Sequence, residues 1–113
     1  MENQVQLNNE RMQLFEKFKE VLPALSAPEI AVWEEAYKDG ALSRKTKRLM
    51  ALAIGLRAGC TNCILAQSMR ALEAGATREE FLETISVVAA MSGSTGTAES
   101  LRVLKFLDEQ GKL

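Results

Sequence analysis

Hydrophobic residues recur along the chain at spacings of three and four, the pattern that predicts amphipathic helices. The first stripe predicts a helix over about Asn8–Val21, which Pro23 would end because proline interrupts helical hydrogen bonding. A second helix is predicted to be capped by Ser26, with Glu29 completing a capping box, and to stop at Gly40.

The middle of the chain predicts two helices separated by a glycine. Ser43 is expected to cap a third helix that runs to about Ala58, and Gly59 forms the break. Apolar side chains surround this third helix almost completely, and such a helix is normally buried on all sides. A small domain has few places of that kind, so we expect contacts between subunits to cover part of it. A fourth helix starts at the cysteines and runs to Ala74.

The last third of the chain predicts two more helices. Thr77 and Glu80 form a capping box for a fifth helix, and the sequence SGSTG at 92–96 is expected to be a loop. A sixth helix follows over about Thr97–Glu109. Because no segment alternates between apolar and polar residues with a period of two, we predict an all-α bundle of about six helices. The length of 113 residues indicates a single domain over 1–113.

Composition and charge narrow the classes of function. The net charge of −1 provides no global field to attract nucleic acid or an anionic membrane, so neither is expected as a partner. The longest apolar run lies between Arg48 and Arg57 and is too short to cross a bilayer. The N-terminal residues lack the basic and apolar regions of a secretory signal. We therefore expect a soluble, cytoplasmic protein.

The candidate chemistry lies in the chain's two cysteines, Cys60 and Cys63, which form a Cys-x-x-C pair at the predicted start of the fourth helix. Unpaired N–H groups and the helix dipole favour a thiolate there, and the spacing lets one sulfur resolve a mixed disulfide on the other. A closed zinc site needs four ligands, so without histidine only a four-cysteine site between subunits would serve. Alternatively, both cysteines are small apolar residues in a helix contact. No cofactor is indicated.

A longer pattern surrounds the pair. Over Ser43–Gly93 a Lys-rich start and a small apolar helix precede "GC..C", and "AL.AGAT.EE" and a second apolar helix follow it. This order resembles the carboxymuconolactone decarboxylase and alkylhydroperoxidase D-like family, with the family core at about 43–93. The resemblance implies an all-α fold and a homo-oligomer, commonly a trimer or hexamer. In the redox branch it implies a peroxidase or disulfide reductase that uses the cysteine pair, with a dithiol or lipoyl-bearing reductant and, in some members, a peroxiredoxin partner.

The same resemblance identifies two unusual positions. The redox motif of the family has a glutamate twelve residues before the Cys-x-x-C and a histidine four residues after the second cysteine, which together form a proton relay that activates that cysteine. Arg48 and Gln67 occupy these positions here. If the third and fourth helices fold back at Gly59, Arg48 comes within about one turn of Gln67, beside Cys63. The guanidinium would favour a Cys63 thiolate, and Gln67 would donate to the sulfur or orient a peroxide. Alternatively, Arg48 points to solvent and Gln67 is an ordinary surface amide.

Three functions remain open from the sequence. The first is a peroxidase or disulfide oxidoreductase in which Cys63 attacks and Cys60 resolves, or the reverse. The second is a non-catalytic oligomer with a degenerate site, which binds a small organic molecule or senses redox state. The least favoured is a lactone decarboxylase, because that chemistry in the family is associated with histidine.

Two further patterns are interpreted mainly as structural. The basic run Ser43–Arg48 is expected to be a solvated face with carboxylates of another subunit nearby, or else an anion site for a carboxylate substrate or acidic partner. Trp33 and Tyr37, four residues apart, are expected to lie in the core or an interface rather than in a ligand cage.

Overall fold

The computed structural model describes residues 1–113 as five α-helices without a strand, which confirms the all-α prediction. The helices are α1 (Gln4–Val21), α2 (Pro23–Ala36), α3 (Arg44–Ala58), α4 (Thr61–Glu73) and α5 (Arg78–Asp108). None of them combines the length and apolar character that a membrane span requires.

Side-chain caps explain where most of these helices begin. Ser43 caps α3 by accepting the N–H of Thr46, and Thr77 caps α5 in a capping box with Glu80, both as the sequence predicts. Helix α1 begins at Gln4, four residues before the predicted start, because Asn3 accepts the N–H of Gln6. The pattern of apolar residues alone does not reveal this cap.

The predicted start of the second helix is wrong. Ser26 is buried inside α2 and caps nothing, since the helix already begins at Pro23. Proline suits the first helical position because its fixed φ matches the helix and its missing N–H would have had no partner there. The helix also ends at Ala36, before the predicted stop at Gly40.

The predicted loop at 92–96 is likewise wrong. Helical structure continues through this segment and is interrupted only at Gly93, with φ 60° and ψ −141°. Glycine adopts a positive φ without steric cost, so a single residue redirects the helix where five were expected to form a loop. The predicted fifth and sixth helices are therefore the two arms of α5, on either side of a kink.

The hydrophobic core forms where α3, α4 and α5 pack together. Its buried side chains are Leu52, Leu56, Ile64, Ala71, Ala76, Phe81, Val88, Val103 and Leu107. Along its length, helix α2 packs against α1, and α1 also contacts α4 and α5. Helix α3 is not buried all round in the single chain, because Met50 and Ile54 remain 48% and 68% exposed. The expectation that another subunit covers this face stays a prediction.

Candidate functional site

The two cysteines form a disulfide at the start of α4, with their Cα atoms 5.2 Å apart. Cys60 is the N-cap residue, and its Sγ accepts the backbone N–H of Cys63 at 3.2 Å. Cys63 stands in the first turn and is exposed, whereas Cys60 is half-buried. The two cysteines therefore differ: Cys63 is the more exposed residue, and the sulfur of Cys60 accepts a hydrogen bond from the helix start.

A glycine on α3 forms the back wall of this site. A Cβ added to Gly55 would lie 3.3 Å from the Cβ of Cys63 and 3.5 Å from the backbone nitrogen of Ile64. Helix α3 therefore approaches the first turn of α4 closely, which only a residue without a side chain permits comfortably. This contact fixes the position of the disulfide against the packed core.

Arg48 and Gln67 are in contact, as the fold-back at Gly59 predicts. Nη1 of Arg48 donates a hydrogen bond to Oε1 of Gln67 at 3.1 Å. Both side chains are half-buried, so the alternative of a solvent-pointing arginine and an ordinary surface amide is wrong. Gln67 lies one turn beyond Cys63 on α4, which places the pair on the same side of the helix as that cysteine.

Tyr37, the residue at the C-terminus of α2, completes this cluster. The Cζ atom of Arg48 lies 3.5 Å from the centroid of the tyrosine ring, within range of a cation–π interaction. The amide nitrogen of Gln67 donates to the tyrosine hydroxyl at 3.4 Å. The three side chains thus hold one another in place, and they join α2, α3 and α4 beside the disulfide.

The environment of Arg48 is crowded with positive charge. Partial burial lowers the pKa of its guanidinium from the usual value; Tyr37 and Glu73 oppose this shift, and the nearby cations Arg70 and Arg44 add to it. Arginine nonetheless remains protonated at neutral pH. The Nε atom of Arg48 is enclosed and has no hydrogen-bond acceptor. A fixed cation with an unused donor therefore lies close to the disulfide.

A cavity of about 1070 Å³ opens beside the disulfide, between α1, α2, α4 and the start of α3. Cys63 contributes to its wall and Cys60 does not. The apolar part of the wall comes from Leu7, Leu14, Phe15, Phe18, Ile30, Trp33, Leu65 and Ala66. The charged part comes from the cations Arg11, Lys38, Arg44, Arg48 and Arg70 and the carboxylates Glu10, Glu34 and Asp39. The exposed residue Cys63 thus borders a large space with both an apolar and a cationic lining.

Sequence reasoning missed most of this cavity. Trp33 and Tyr37 were expected in the core or an interface, yet both line the cavity, and Trp33 is 39% exposed. The spacing of four, which places both rings on one face of α2, is the signal that could have identified them. Arg11 and Arg70 carried no such signal, because only the packing of α1 against α4 brings them to the site.

The basic run Ser43–Arg48 divides between two roles. Nζ of Lys45 lies 2.9 Å from the carboxylate of Glu80 in the same chain, and hydrogen bonding from Lys45 lowers the pKa of that carboxyl group. Lys47 donates to the backbone oxygen of Lys38. Arg44 and Arg48, one helical turn apart, instead line the cavity.

Metal binding has little support in this arrangement. No group of three or more His, Cys, Asp or Glu side chains is placed to hold a metal ion, and both thiols are in the disulfide. The residues present in one chain therefore do not fit a closed zinc site, which needs four ligands.

Together, the helical bundle and the disulfide at the start of α4 define an all-α protein with a Cys-x-x-C centre of the redox type. The chain belongs to the carboxymuconolactone decarboxylase family, whose sequence profile matches residues 23–106. This confirms the family that the sequence resembles.

Two relatives with similar sequences are both described as uncharacterized. An uncharacterized protein of Cupriavidus necator is 31% identical over 86 residues, which are 76% of each chain. A protein of Paracoccus denitrificans, described as uncharacterized protein 4 in the cox locus, is 35% identical over 80 residues, 71% of this chain and 72% of its own.

Two solved structures share the fold. The apo form of a carboxymuconolactone decarboxylase family protein from Legionella pneumophila superposes with a TM-score of 0.88 at 30% identity, covering 94% of this chain and 95% of that one. A Thermotoga maritima protein superposes with a TM-score of 0.81 at 27% identity, covering 90% of both chains.

Proposed function

We propose that the protein is a thiol–disulfide oxidoreductase that reduces an organic peroxide at the expense of an external dithiol. The observation that carries this proposal is the asymmetry of the disulfide. The sulfur of Cys63 is on the exposed residue beside the cavity, while the sulfur of Cys60 accepts the N–H of Cys63. Cys63 is therefore suited to exchange with an external molecule, and Cys60 to resolve it.

The oxidative half of the cycle begins with both cysteines reduced. The Cys63 thiolate attacks the terminal oxygen of the peroxide, the O–O bond breaks, and the alkoxide leaves with a proton from water. Cys63 is then a sulfenic acid. Cys60 attacks its sulfur, the S–O bond breaks, and water is released as the disulfide forms. The two thiols lose two electrons in total, and the peroxide becomes an alcohol and water.

The reductive half returns these two electrons. A thiolate of the external dithiol attacks Cys63, and Cys60 leaves as a thiolate that the N–H of Cys63 stabilises. The second thiol of the reductant then attacks its own sulfur in the mixed disulfide, which frees Cys63 and leaves the reductant oxidised. A free dithiol or a lipoyl-bearing protein fits this step. With a disulfide in place of the peroxide, the same chemistry makes a disulfide reductase.

Arg48 is proposed as the residue that favours the Cys63 thiolate. A fixed positive charge near a thiol lowers its pKa without a base that removes the proton. Gln67 and Tyr37 hold the guanidinium in position. No histidine is present to return a proton to the leaving alkoxide, so water supplies it. We therefore expect slower turnover than in family members that have the glutamate–histidine relay.

Thiol counting tests the cycle. Reduced protein should lose two thiols for each equivalent of cumene hydroperoxide consumed, and dithiothreitol should restore them. Cys63→Ser should lose peroxide consumption, whereas Cys60→Ser should consume about one equivalent and stop. Thiols that survive peroxide unchanged would overturn the proposal. If Cys60→Ser is inert and Cys63→Ser reacts, the order of attack is the reverse.

The role of Arg48 has its own measurement. In reduced Cys60→Ser protein, alkylation rate against pH should give Cys63 a pKa below the usual value of about 8.5. Adding Arg48→Gln should raise that pKa, while Arg57→Gln, an exposed arginine at the far end of α3, should leave it unchanged. If the pKa of Cys63 is ordinary and does not change in the Arg48→Gln variant, Arg48 does not favour the thiolate.

The assembly and location belong to the same proposal. Exposed apolar side chains of α3 and α5, Met50, Ile54, Val87 and Met91, fit the homo-oligomer, a trimer or hexamer, that is common in the family. The cycle suits the reducing cytoplasm, where dithiols are maintained. Sedimentation that gives a monomer at micromolar concentration would contradict the assembly.

A second candidate is a non-catalytic protein that binds a small organic molecule or senses redox state through the disulfide. The observation in its favour is that Arg48 and Gln67 bond to each other, so neither is positioned as a proton relay. Multiple turnovers of peroxide with excess dithiol support the enzyme. A single oxidation without turnover supports the sensor.

A further inference from the structure

Three arginines of the cavity wall have no direct carboxylate partner, although the carboxylates Glu10, Glu34 and Asp39 line the same cavity. None of Arg11, Arg44 and Arg48 forms an ion pair with a carboxylate, although most other charged residues on the helices do. Arg70, which is paired with Glu73, is the fourth arginine of the wall. We call these four residues the arginine cluster.

The members of the arginine cluster act on one another. Burial lowers the pKa of Arg11, and the charge of Arg70 lowers it further. Burial and then Arg70 and Arg44 also lower the pKa of Arg48, although Tyr37 and Glu73 act against this shift. Cations that destabilise one another in this way become more stable when an anion lies among them.

Aromatic rings line much of the wall beyond the arginine cluster. Arg48 stacks on Tyr37, and Trp33 lies one helical turn before Tyr37 on α2. The ring of Trp33 is 5.6 Å from the ring of Phe15, which is 5.8 Å from that of Phe18. A ligand with an anionic end at Arg48 would therefore find an apolar surface for its other end along α1 and α2.

We propose that this cavity binds an amphipathic organic carboxylate, with the carboxylate at the arginine cluster and the hydrocarbon part against Phe15, Phe18 and Trp33. Guanidinium groups bind carboxylates through paired, charge-assisted hydrogen bonds. Cys63 lines the same cavity. One extension rests on the proposed function: the peroxide substrate is the hydroperoxide of such an acid, and it is reduced to the hydroxy acid as described above.

Trp33 allows direct measurement of binding, because it is the single tryptophan of the chain and lines the cavity. Octanoate serves as the probe, acetate as the anion without a hydrocarbon part, and 1-octanol as the hydrocarbon without a charge. We expect a saturable change in tryptophan fluorescence with octanoate and at least about tenfold weaker binding of the other two. Equal binding of octanoate and octanol, or no saturable change, would overturn the proposal.

Matched arginine variants locate the anion. Arg48→Gln and Arg44→Gln should each weaken octanoate binding about tenfold or more, the effect of losing a charged hydrogen bond. Arg57→Gln removes an arginine of α3 outside the cavity and should change binding less than about twofold. Circular dichroism checks that each variant is folded, and Arg44 is exposed enough for its variant to fold if that of Arg48 does not. Equal weakening in all three variants would indicate a general charge effect and refute the site.

Separate experiments test the binding proposal and the redox proposal, so that either can be overturned without the other. Octanoate binding is also measured in the Cys60→Ser/Cys63→Ser double variant, which has no redox chemistry but keeps the cavity wall. Binding there, with inert thiols in the wild type, overturns the proposed function and supports the carboxylate site. Thiol cycling in the wild type without octanoate binding overturns the carboxylate site alone.

Discussion

The packed half of the molecule, α3 to α5, and the outlying pair, α1 and α2, differ in how they are held. The packed half provides every buried hydrophobic side chain of the core. The outlying pair buries only the polar residues Gln4, Asn8 and Ser26 and leaves many of its apolar side chains exposed. Exposed apolar residues of the pair include Leu14, Val21, Leu22, Leu25 and Val32.

Polar contacts attach the outlying pair to the packed half. The carboxylate of Glu109, at the end of α5, accepts the first N–H groups of α1, those of Gln4 and Val5, at 2.9 Å. Arg102 donates to Oε1 of Gln4 at 2.8 Å. The difference between the halves indicates that α3–α5 hold the hydrophobic core, whereas α1 and α2 supply an apolar wall that remains exposed in the single chain.

The disulfide lies at the boundary between the two halves. Gly55 of the packed half touches Cys63 from behind, and the cavity in front of Cys63 is walled largely by the outlying pair. A rigid support on one side and a large open space on the other is the arrangement that a sulfur reacting with an external molecule needs.

The largest expected effect separates the two halves by stability. Leu52 is fully buried in α3, so Leu52→Ala should lower the free energy of unfolding by about 2–5 kcal/mol. Leu25 of α2 is 61% exposed, and Leu25→Ala should cost less than about 0.5 kcal/mol. Urea denaturation of both variants measures the two losses in free energy of unfolding. Similar losses would contradict the difference in packing between the two halves.

A smaller effect tests the link between the halves. Glu109→Gln should lower the free energy of unfolding at pH 7 by about 1.5 kcal/mol, because a charged acceptor is lost from the start of α1. The control is Glu16→Gln on an exposed part of α1, which should change the free energy of unfolding little.

The pH dependence of this link has a definite sign. Burial opposes the charged form of Glu109, but the N–H donors of Gln4 and Val5 together with Lys105 outweigh it and lower the pKa from its usual 4.5. The contribution of this carboxylate is therefore fully present above pH 4.5 and is lost as the pH falls through the lowered pKa. Below that pH, wild type and Glu109→Gln should have equal stability in urea titrations, and a difference that persists there would contradict the link.

The smallest expected effect lies at the boundary. Gly55→Ala gains about 1 kcal/mol of helix propensity, but its Cβ crowds Cys63, and overpacking of this kind costs about 1–3 kcal/mol. We expect a net loss of about 1 kcal/mol in the oxidised protein and a smaller loss after reduction, since the disulfide keeps Cys63 from moving aside. Gly40→Ala, with nothing within 4 Å of its added Cβ, is the control. An oxidised variant more stable than the wild type would show that α3 and α4 separate freely.

Local signals in the sequence predicted the packed half better than the outlying pair. Ser43 and Thr77 cap their helices as predicted, because a cap depends on residues within one turn. Pro23 displaced the predicted cap at Ser26, and Gly93 turned a predicted loop into a kink. In both cases one residue determined the backbone path: Pro23 started a helix, and Gly93 redirected one.

The candidate site was predictable only in part. The Cys-x-x-C pair and the contact of Arg48 with Gln67 follow from spacing within a helical hairpin. The contributions of Arg11, Phe15 and Tyr37 depend on where α1 and α2 settle, which long-range packing decides. A pattern that predicts each helix separately does not contain that information.

The most direct test of the account is to trap the first oxidised sulfur. Reduced Cys60→Ser and Cys63→Ser proteins are treated with one equivalent of cumene hydroperoxide in the presence of dimedone, which labels sulfenic acids, and are mapped by mass spectrometry. The account predicts one label on Cys63 in the Cys60→Ser variant and none in the Cys63→Ser variant. A label on Cys60 alone, or no label in either variant, would contradict it.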